Sequence, residues 1–333
     1  MSARSYNRLA QLAVIVTLVV IVLGAWVRLT DAGLGCPDWP GCYGKVTWPQ
    51  TEQSIAQANE RWAERPVEIG KAAREMIHRY AATLLGFIVL LLAWFGWRRR
   101  TQPGQPVALP LVLLVLVIFQ GLLGMWTVTL LLKPAIVLAH LAGGMLTFSL
   151  LVWLYLATRP SQPEPNLPQR RLKWPLGLAM AVLVAQILLG GWVSTNYAAL
   201  SCPDFPTCMG QWWPETDFAE GFTLWRGVGV DYEGGILDHN ARVAIHLTHR
   251  LGALVVIGVF SWLLWLLWRT PGMTRPAVVL GLLLLTQITL GILNVLLGLP
   301  LAIAVAHNGV AALLLACMVY LLTLTSLRPG RPR

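Results

Sequence analysis

Charged side chains are scarce in this chain. Asp, Glu, Lys and Arg together make up 12% of its 333 residues, whereas 56% of the residues are hydrophobic. Soluble globular proteins carry about 25% charged residues, so this composition excludes a single water-soluble domain. The scarcity of charge leaves long apolar segments, and these indicate a membrane protein.

Eight apolar runs are long enough to cross a bilayer, whose hydrocarbon core of about 30 Å requires roughly 20 residues of helix. Each backbone N–H and C=O needs an internal partner in lipid, so the runs are predicted to be α-helices. The first run is too long, and lacks the small-residue cleavage site, for a removable signal peptide. The sequence therefore predicts an all-α integral membrane protein. The runs span about residues 10–28, 76–97, 107–130, 134–157, 174–196, 243–268, 276–298 and 301–326.

Acidic residues are nearly absent from one set of connecting segments. With eight spans, both termini and every second linker lie on one side of the membrane, and these segments hold 14 basic residues but one acid, Glu164. The positive-inside rule then places both termini in the cytoplasm and the long loops at about 29–75 and 197–242 outside. The net charge of +10 is thus a topology signal, which predicts contact with anionic lipid and no nucleic-acid partner. The basic residues are Arg4, Arg8, Arg98, Arg99, Arg100, Arg159, Arg170, Arg171, Lys173, Arg269, Arg275, Arg328, Arg331 and Arg333.

The chain is an internal duplication, which is the first thing to seek in a sequence of this length. Four helices repeat as four helices, so both copies have the same orientation, and two four-helix bundles related by a pseudo-two-fold axis are predicted. The domains are then residues 1–159, a Pro- and Gln-rich linker at 160–173, and residues 174–333. The matching stretches are "LGAWV" and "LGGWV", "CPDWPGCYG" and "CPDFPTCMG", "HRYAATLLG" and "HRLGALVVIG", "QGLLG" and "QITLG", and "LAHLAGGML" and "VAHNGVAAL".

Four of the six histidines follow the repeat, His78 with His249 and His140 with His307. Intramembrane ionisable residues are costly and usually mark function, although a single histidine can simply hydrogen-bond a neighbouring helix. His78 and His140 are each expected in the first two turns of a helix, at one depth, which is how a bundle clamps a planar metallocofactor. Two ligands per bundle, with no cysteine or carboxylate near both, argue against zinc. The pattern favours one heme in each bundle.

The two "HR" doublets differ three residues upstream, where Glu75 precedes His78 and His246 precedes His249. Residues three apart share a helix face, so one bundle pairs its ligand with a carboxylate and the other with a second imidazole. This asymmetry suggests one electron carrier and one reaction centre, with Glu75 as the proton-transfer group. Glu75 can also be an interfacial carboxylate, and His246 can replace His249 as the ligand.

Smaller features remain open at this point. The arginines beside the histidines, Arg79 and Arg250, are candidates either for heme propionates or for anchoring helix ends, and Arg28 has the same two interpretations. Glycines at 86, 143, 144 and 258 leave space for a porphyrin, or serve ordinary helix packing.

The cysteine stretches at 36–44 and 202–210, called the first and second cysteine loops, follow helix ends on the predicted outer side, where disulfides persist. The spacing lacks the C-x-x-C pattern of a redox motif and the spacing of a zinc knuckle. Two local disulfides are therefore predicted, and an exposed disulfide could also accept electrons. The pairs are Cys36–Cys42 and Cys202–Cys208.

Taken together, "EMIHR", "LAHLAGG", "THR", "AHNG" and the cysteine pairs resemble the heme A synthase family, in the bacterial type that carries both pairs. The resemblance implies oxidation of the C8 methyl group of heme O to a formyl group, which gives heme A for terminal oxidases. It implies heme b on His249 and His307, the substrate on His78 and His140, and Glu75 as the essential carboxylate.

The resemblance also implies a multi-pass protein of the bacterial cytoplasmic membrane. Heme O synthase, an electron donor that the family pattern does not identify, and a second copy of the chain are its candidate partners. Either oxygen or water can supply the formyl oxygen. A di-heme cytochrome b and a heme exporter or chaperone are the alternatives, and both would contain a single type of heme.

Overall fold

The computed structural model describes residues 2–159, 167–227 and 229–326, and all regular elements in these ranges are α-helices. Each half contains four long helices and one or two short ones. The helices are α1 (Ala3–Leu29), α2 (Glu52–Arg61), α3 (Ile69–Arg98), α4 (Ala108–Thr129), α5 (Pro134–Ala157), α6 (Leu167–Arg170), α7 (Lys173–Thr195), α8 (Phe218–Gly221), α9 (His239–Arg269), α10 (Thr274–Leu296) and α11 (Leu301–Ser326).

Eight of these helices are long and apolar enough to span a membrane, which confirms the predicted all-α membrane fold. They are α1, α3, α4, α5, α7, α9, α10 and α11. Large apolar side chains such as Val115 and Ile118 of α4 are more than half exposed. Apolar side chains on the outside of a bundle are expected where lipid is the solvent.

Two helices begin earlier than their apolar runs predict. The structure starts α3 at Ile69 and α9 at His239, so His78 and His249 lie in the third turn of their helices and not in the first two. The extra turns form because residues outside the apolar run still bury one face. Ala72, for example, is fully buried against the first cysteine loop.

Helix packing has the same pattern in both halves. In the first half α1 contacts α3 and α5, and α4 contacts α3 and α5; in the second half α7 contacts α9 and α11, and α10 contacts α9 and α11. The halves meet through α1 with α11, α5 with α7, and α5 with α11. These contacts are consistent with the predicted pseudo-two-fold arrangement.

The two largest apolar clusters lie toward the bundle ends remote from the cysteine loops. One surrounds Tyr6 and Leu92 in the first half, and the other surrounds Phe260 and Met318 in the second half and includes Phe148 of α5. The histidines of the repeat therefore occupy the other end of each bundle, close to the cysteine loops.

Both predicted disulfides are present in the structure. Cys36 is bonded to Cys42, and Cys202 is bonded to Cys208. Each loop also contains a cis peptide bond before its second proline, and an isolated β-bridge follows its second cysteine. The duplication has therefore preserved the conformation of the loop as well as its sequence.

An aspartate closes each cysteine loop from within. Asp38 accepts hydrogen bonds from the backbone N–H groups five and six residues later, and Asp204 does the same in the second loop. The Thr207 hydroxyl and these N–H donors lower the pKa of Asp204 to about 2. The charged carboxylate is thus the form that accepts these hydrogen bonds.

A segment of the second half crosses onto the first half beside the cysteine loops. Arg65 forms ion pairs with Asp231 and Glu233, and the buried Lys133 donates to the carbonyl oxygen of Arg226. Tyr232 is buried among side chains of the first half. The sequence does not predict this contact, because the segment lies outside the stretches that match between the two halves.

The disulfide assignment predicts the outcome of thiol alkylation. Denatured, unreduced protein should take up one alkyl group, at Cys317, the free cysteine of the described residues. After reduction all five cysteines should react. Intact-mass spectrometry and peptide mapping would read this out, and a cross-link between the two cysteine loops would contradict the assignment.

Candidate functional site

The four duplicated histidines lie on alternate long helices. His78 is on α3 and His140 on α5, while His249 is on α9 and His307 on α11. Within each half the two imidazoles lie near each other. The structure therefore brings together the histidines that the repeat pairs.

Three of these imidazoles have a buried nitrogen that no protein group satisfies. The Nδ1 atoms of His78, His140 and His307 are buried and have no hydrogen-bond partner among the residues that the structure describes. Buried polar atoms are normally paired, and each exception calls for an explanation, such as an absent ligand, ion or water. The residues thus fit a role in holding a metal-containing group.

Each imidazole also lies against a glycine of a neighbouring helix, which the sequence analysis missed. A Cβ atom built on these glycines would meet Cε1 of the facing histidine. The pairs are Gly24 with His78 at 3.1 Å, Gly190 with His249 at 3.1 Å, Gly291 with His307 at 3.1 Å and Gly124 with His140 at 3.5 Å.

A signal for these glycines was present in the repeats, since all four lie in the matched stretches "LGAWV", "LGGWV", "QGLLG" and "QITLG". The glycines that were expected to leave space do not face the histidines. Gly143 packs on Gln120, Gly86 is near Val117, and Gly144 and Gly258 have no neighbour within 4 Å.

Glutamine side chains contact both imidazoles of the second half. The amide nitrogen of Gln186 lies 3.1 Å from Nδ1 of His249 and donates to the His249 carbonyl oxygen at 3.0 Å. The amide nitrogen of Gln287 lies 3.2 Å from Nε2 of His307. Both rings of this pair are therefore held by a neighbouring helix.

The first half lacks this support for its imidazoles. Val20 stands at the position that corresponds to Gln186; its side chain has no polar group, and only its backbone hydrogen-bonds the His78 ring. Gln120 corresponds to Gln287, but its buried amide nitrogen has no partner among the described residues. The two histidine pairs thus differ in their side-chain partners, since the first pair is hydrogen-bonded by backbone groups of Val20 and Gln120 and the second pair also by glutamine side chains.

Glu75 is a buried carboxylate at the junction of α3 and the first cysteine loop. Its side chain is 6% exposed, its Oε2 accepts a hydrogen bond from the Cys36 N–H at 2.8 Å, and its Oε1 pairs with Arg79. Gly35 lets the loop approach this closely, because a Cβ atom there would lie 2.6 Å from the Lys71 carbonyl carbon. Charge-assisted hydrogen bonds of this kind hold a buried carboxylate in one place.

His246 takes the position of Glu75 in the second half. It is 4% exposed, and its Nε2 lies 3.2 Å from Nε of Arg250, beside the second cysteine loop. The ring that meets Gly190 and neighbours His307 is that of His249. The Nδ1 atom of His246 is buried without a hydrogen-bond partner among the described residues, as in three of the duplicated histidines.

The arginines next to the histidines bind the cysteine loops. Arg79 donates to the carbonyl oxygens of Asp38, Pro40 and Gly41. Arg250 donates to those of Cys202, Asp204 and Thr207 in the second loop. These side chains were candidates either for heme propionates or for anchoring helix ends. In the structure both guanidinium groups are hydrogen-bonded to the cysteine loops, which is an anchoring role.

Arg28 has a comparable structural role. It donates to the Ser194 carbonyl oxygen and lies 4.0 Å from the centre of the Tyr197 ring, so it joins α1 to the end of α7. The three arginines therefore fix the loops and the two halves around the histidines.

This arrangement can support two kinds of chemistry. Paired imidazoles from facing helices are suited to axial ligation of a heme in a bundle core. A fixed carboxylate near one pair is suited to proton transfer. Because only the first half contains that carboxylate, the two halves are chemically unequal.

Comparison with known proteins gives matches over almost the whole chain. The COX15-CtaA family, described as Cytochrome oxidase assembly protein, matches residues 7–319. A protein of Shewanella oneidensis named Heme A synthase is 44% identical over 312 residues, which cover 93% of this chain and 94% of that protein.

More distant relatives agree with this match. Proteins named Heme A synthase from Beijerinckia indica and Halalkalibacterium halodurans are 30% and 27% identical, and the matches cover 92% and 97% of this chain and 89% and 98% of those proteins. The residues that form the site lie inside the matched region. The chain belongs to the COX15-CtaA family of cytochrome oxidase assembly proteins.

Proposed function

We propose that this chain is a heme A synthase, an oxidoreductase that converts the C8 methyl group of heme O into a formyl group. The carrying observation is the buried Glu75, which lies three residues before His78 on α3 and is held by the first cysteine loop, at the position where the second half has His246. The 44% identity to a protein named Heme A synthase supports the same reaction.

The two halves are proposed to bind different hemes. Residues 1–159 bind the substrate heme on His78 and His140, and residues 174–333 hold a resident heme b on His249 and His307. The glutamine contacts support this division, because a permanent cofactor needs fixed ligands and a substrate has to leave. The proposed linker is 160–173, of which residues 160–166 lie outside the described residues.

Glu75 is proposed to move the protons of the reaction. Converting a methyl group into a formyl group removes electrons and protons from one carbon and adds an oxygen atom, so the site needs a proton acceptor as well as an electron acceptor. The Cys36 N–H and the Arg79 guanidinium hold the carboxylate in place for this role. A heme b on His249 and His307 would supply one-electron transfer.

The proposed location is the bacterial cytoplasmic membrane, with both termini in the cytoplasm and the cysteine loops outside. The clustering of basic residues and the two disulfides support this orientation. Glu164, Arg328, Arg331 and Arg333, which enter the charge count, lie outside the described residues. Heme O synthase is the proposed supplier of substrate, and a separate electron-transfer partner and self-association complete the proposal.

Replacing the second pair of histidines should remove heme b. Losing a group that orients a metal ligand lowers metal affinity by about 10- to 100-fold. His249→Ala and His307→Ala remove the ligands themselves, so they should lower heme b retention by more than this. His239→Ala, at the start of α9 and outside the repeat, is the matched control and should retain it. Pyridine hemochromogen spectra of purified protein would measure the content.

The same spectra separate the proposal from its alternatives. Protein produced together with a heme O source should contain heme b plus heme O or heme A. A single heme type would favour a cytochrome b or a heme carrier and would contradict the proposed reaction.

Removing the Glu75 carboxylate should stop oxidation without removing heme. Glu75→Ala should lower the rate of heme A formation by about 10²- to 10⁴-fold, the range typical of general acid–base catalysis, with heme O or its alcohol accumulating. Glu68→Ala, one residue before α3 and exposed, is the control. Mass analysis of extracted hemes gives the readout, and normal heme A formation in Glu75→Ala would refute the assignment.

The orientation can be tested with single introduced cysteines. Glu60→Cys in α2 and Gln102→Cys between α3 and α4 are both at exposed positions. In intact spheroplasts a membrane-impermeant maleimide should label the first and spare the second. The reverse pattern would overturn the proposed topology.

A further inference from the structure

Three of the four glycines that face histidines leave less space than a side chain needs. A Cβ atom at Gly24, Gly190 or Gly291 would lie 3.1 Å from Cε1 of the facing imidazole. Carbon atoms attract each other best at about 3.5–4.0 Å. An alanine at any of these positions would therefore push the ring by a few tenths of an ångström.

Packing constrains these rings in addition to their hydrogen bonds. Nδ1 of His78 and Nδ1 of His307 have no partner, and the one side chain bonded to the His307 ring is Gln287. Protein interiors are close-packed, so a change of one methyl group is felt by its neighbours. The glycine thus determines where the ring can lie.

The pattern is also duplicated. Gly24 and Gly190 occupy corresponding positions of α1 and α7, and Gly124 and Gly291 occupy corresponding positions of α4 and α10. Each histidine helix therefore meets a glycine on a helix that carries no ligand. A glycine in a helix interior makes the helix less stable than an alanine would. Four such positions therefore need a reason.

We propose that Gly24, Gly190 and Gly291 are positioning residues that set the place of the imidazole rings and, through them, the retention and electronic state of the heme in the same half. The proposal rests on the ligand assignment of the proposed function. Gly124, with its Cβ position 3.5 Å from His140, is in ordinary van der Waals contact and is assigned a weaker role.

Two glycines of α7, Gly177 and Gly190, and the two of α10 provide matched tests. Gly190→Ala should lower heme b retention by about 10- to 100-fold, as is typical when a group that orients a metal ligand is lost. It should also shift the low-spin electron paramagnetic resonance signal of the protein that retains heme. Gly177→Ala, on the same helix with nothing within 4 Å, should match the unchanged protein.

Gly291→Ala and Gly281→Ala form the second pair, since the Cβ position at Gly281 is in ordinary contact with Leu264 at 3.8 Å. Gly291→Ala should reproduce the effect of Gly190→Ala, and Gly281→Ala should have none. If Gly190→Ala and Gly291→Ala retain heme b and keep the resonance signal of their controls, the proposal is wrong.

Gly24→Ala distinguishes positioning from general damage to the fold. It should lower binding of heme O in the first half and leave heme b content unchanged. A variant that loses both hemes alike, or fails to accumulate with either, contradicts the proposal, because a positioning residue acts on the ring it touches.

The ligand assignment and the glycine proposal fail in different ways. His249→Ala that keeps its heme b would overturn the ligand assignment and with it the basis of the glycine proposal. His249→Ala that loses heme b, combined with an unaffected Gly190→Ala, would overturn the glycine proposal alone.

Discussion

A polar ring inside a membrane-spanning bundle has to find its partner within the protein, because the surrounding hydrocarbon offers none. The four duplicated histidines meet this constraint incompletely, since three of them keep a buried nitrogen without a partner. Paired imidazoles with unsatisfied nitrogens fit a ligand that completes them. The rest of the structure positions these pairs: glycines admit the rings, glutamines hold one pair, and arginine-anchored loops lie over both.

The duplication explains both the likeness of the halves and the differences between them. Each half keeps the same disulfide loop, the same internal aspartate and the same arginine that donates to loop carbonyls. Few of the residues near the histidines differ between the halves. Glu75 corresponds to His246, and Val20 corresponds to Gln186. These substitutions give one half a fixed carboxylate and the other half a firmly held imidazole pair, which is the difference expected between a reaction site and an electron carrier.

Much of this could be predicted from the sequence, because membrane helices and repeats leave strong signals. Apolar length gave the eight spans, and the repeats gave the histidine pairs and the local disulfides. The early start of α3 at Ile69 was missed, because the apolar run begins several residues later. The residues before the run form helix where they pack on the first cysteine loop. Gly24 and Gly190 were missed because the contact of a glycine with a ring depends on how closely two helices approach. The hydrogen bonds of Arg79 depend on the loop conformation, which spacing alone does not define.

The most direct test of the account is a cryo-electron microscopy structure of the protein purified from cells that also produce heme O. The account predicts one porphyrin between His249 and His307 and a second between His78 and His140. The carboxylate of Glu75 should lie next to the second porphyrin. Porphyrin density outside the two bundles, or an iron ligated by His246 in place of His249, would contradict it.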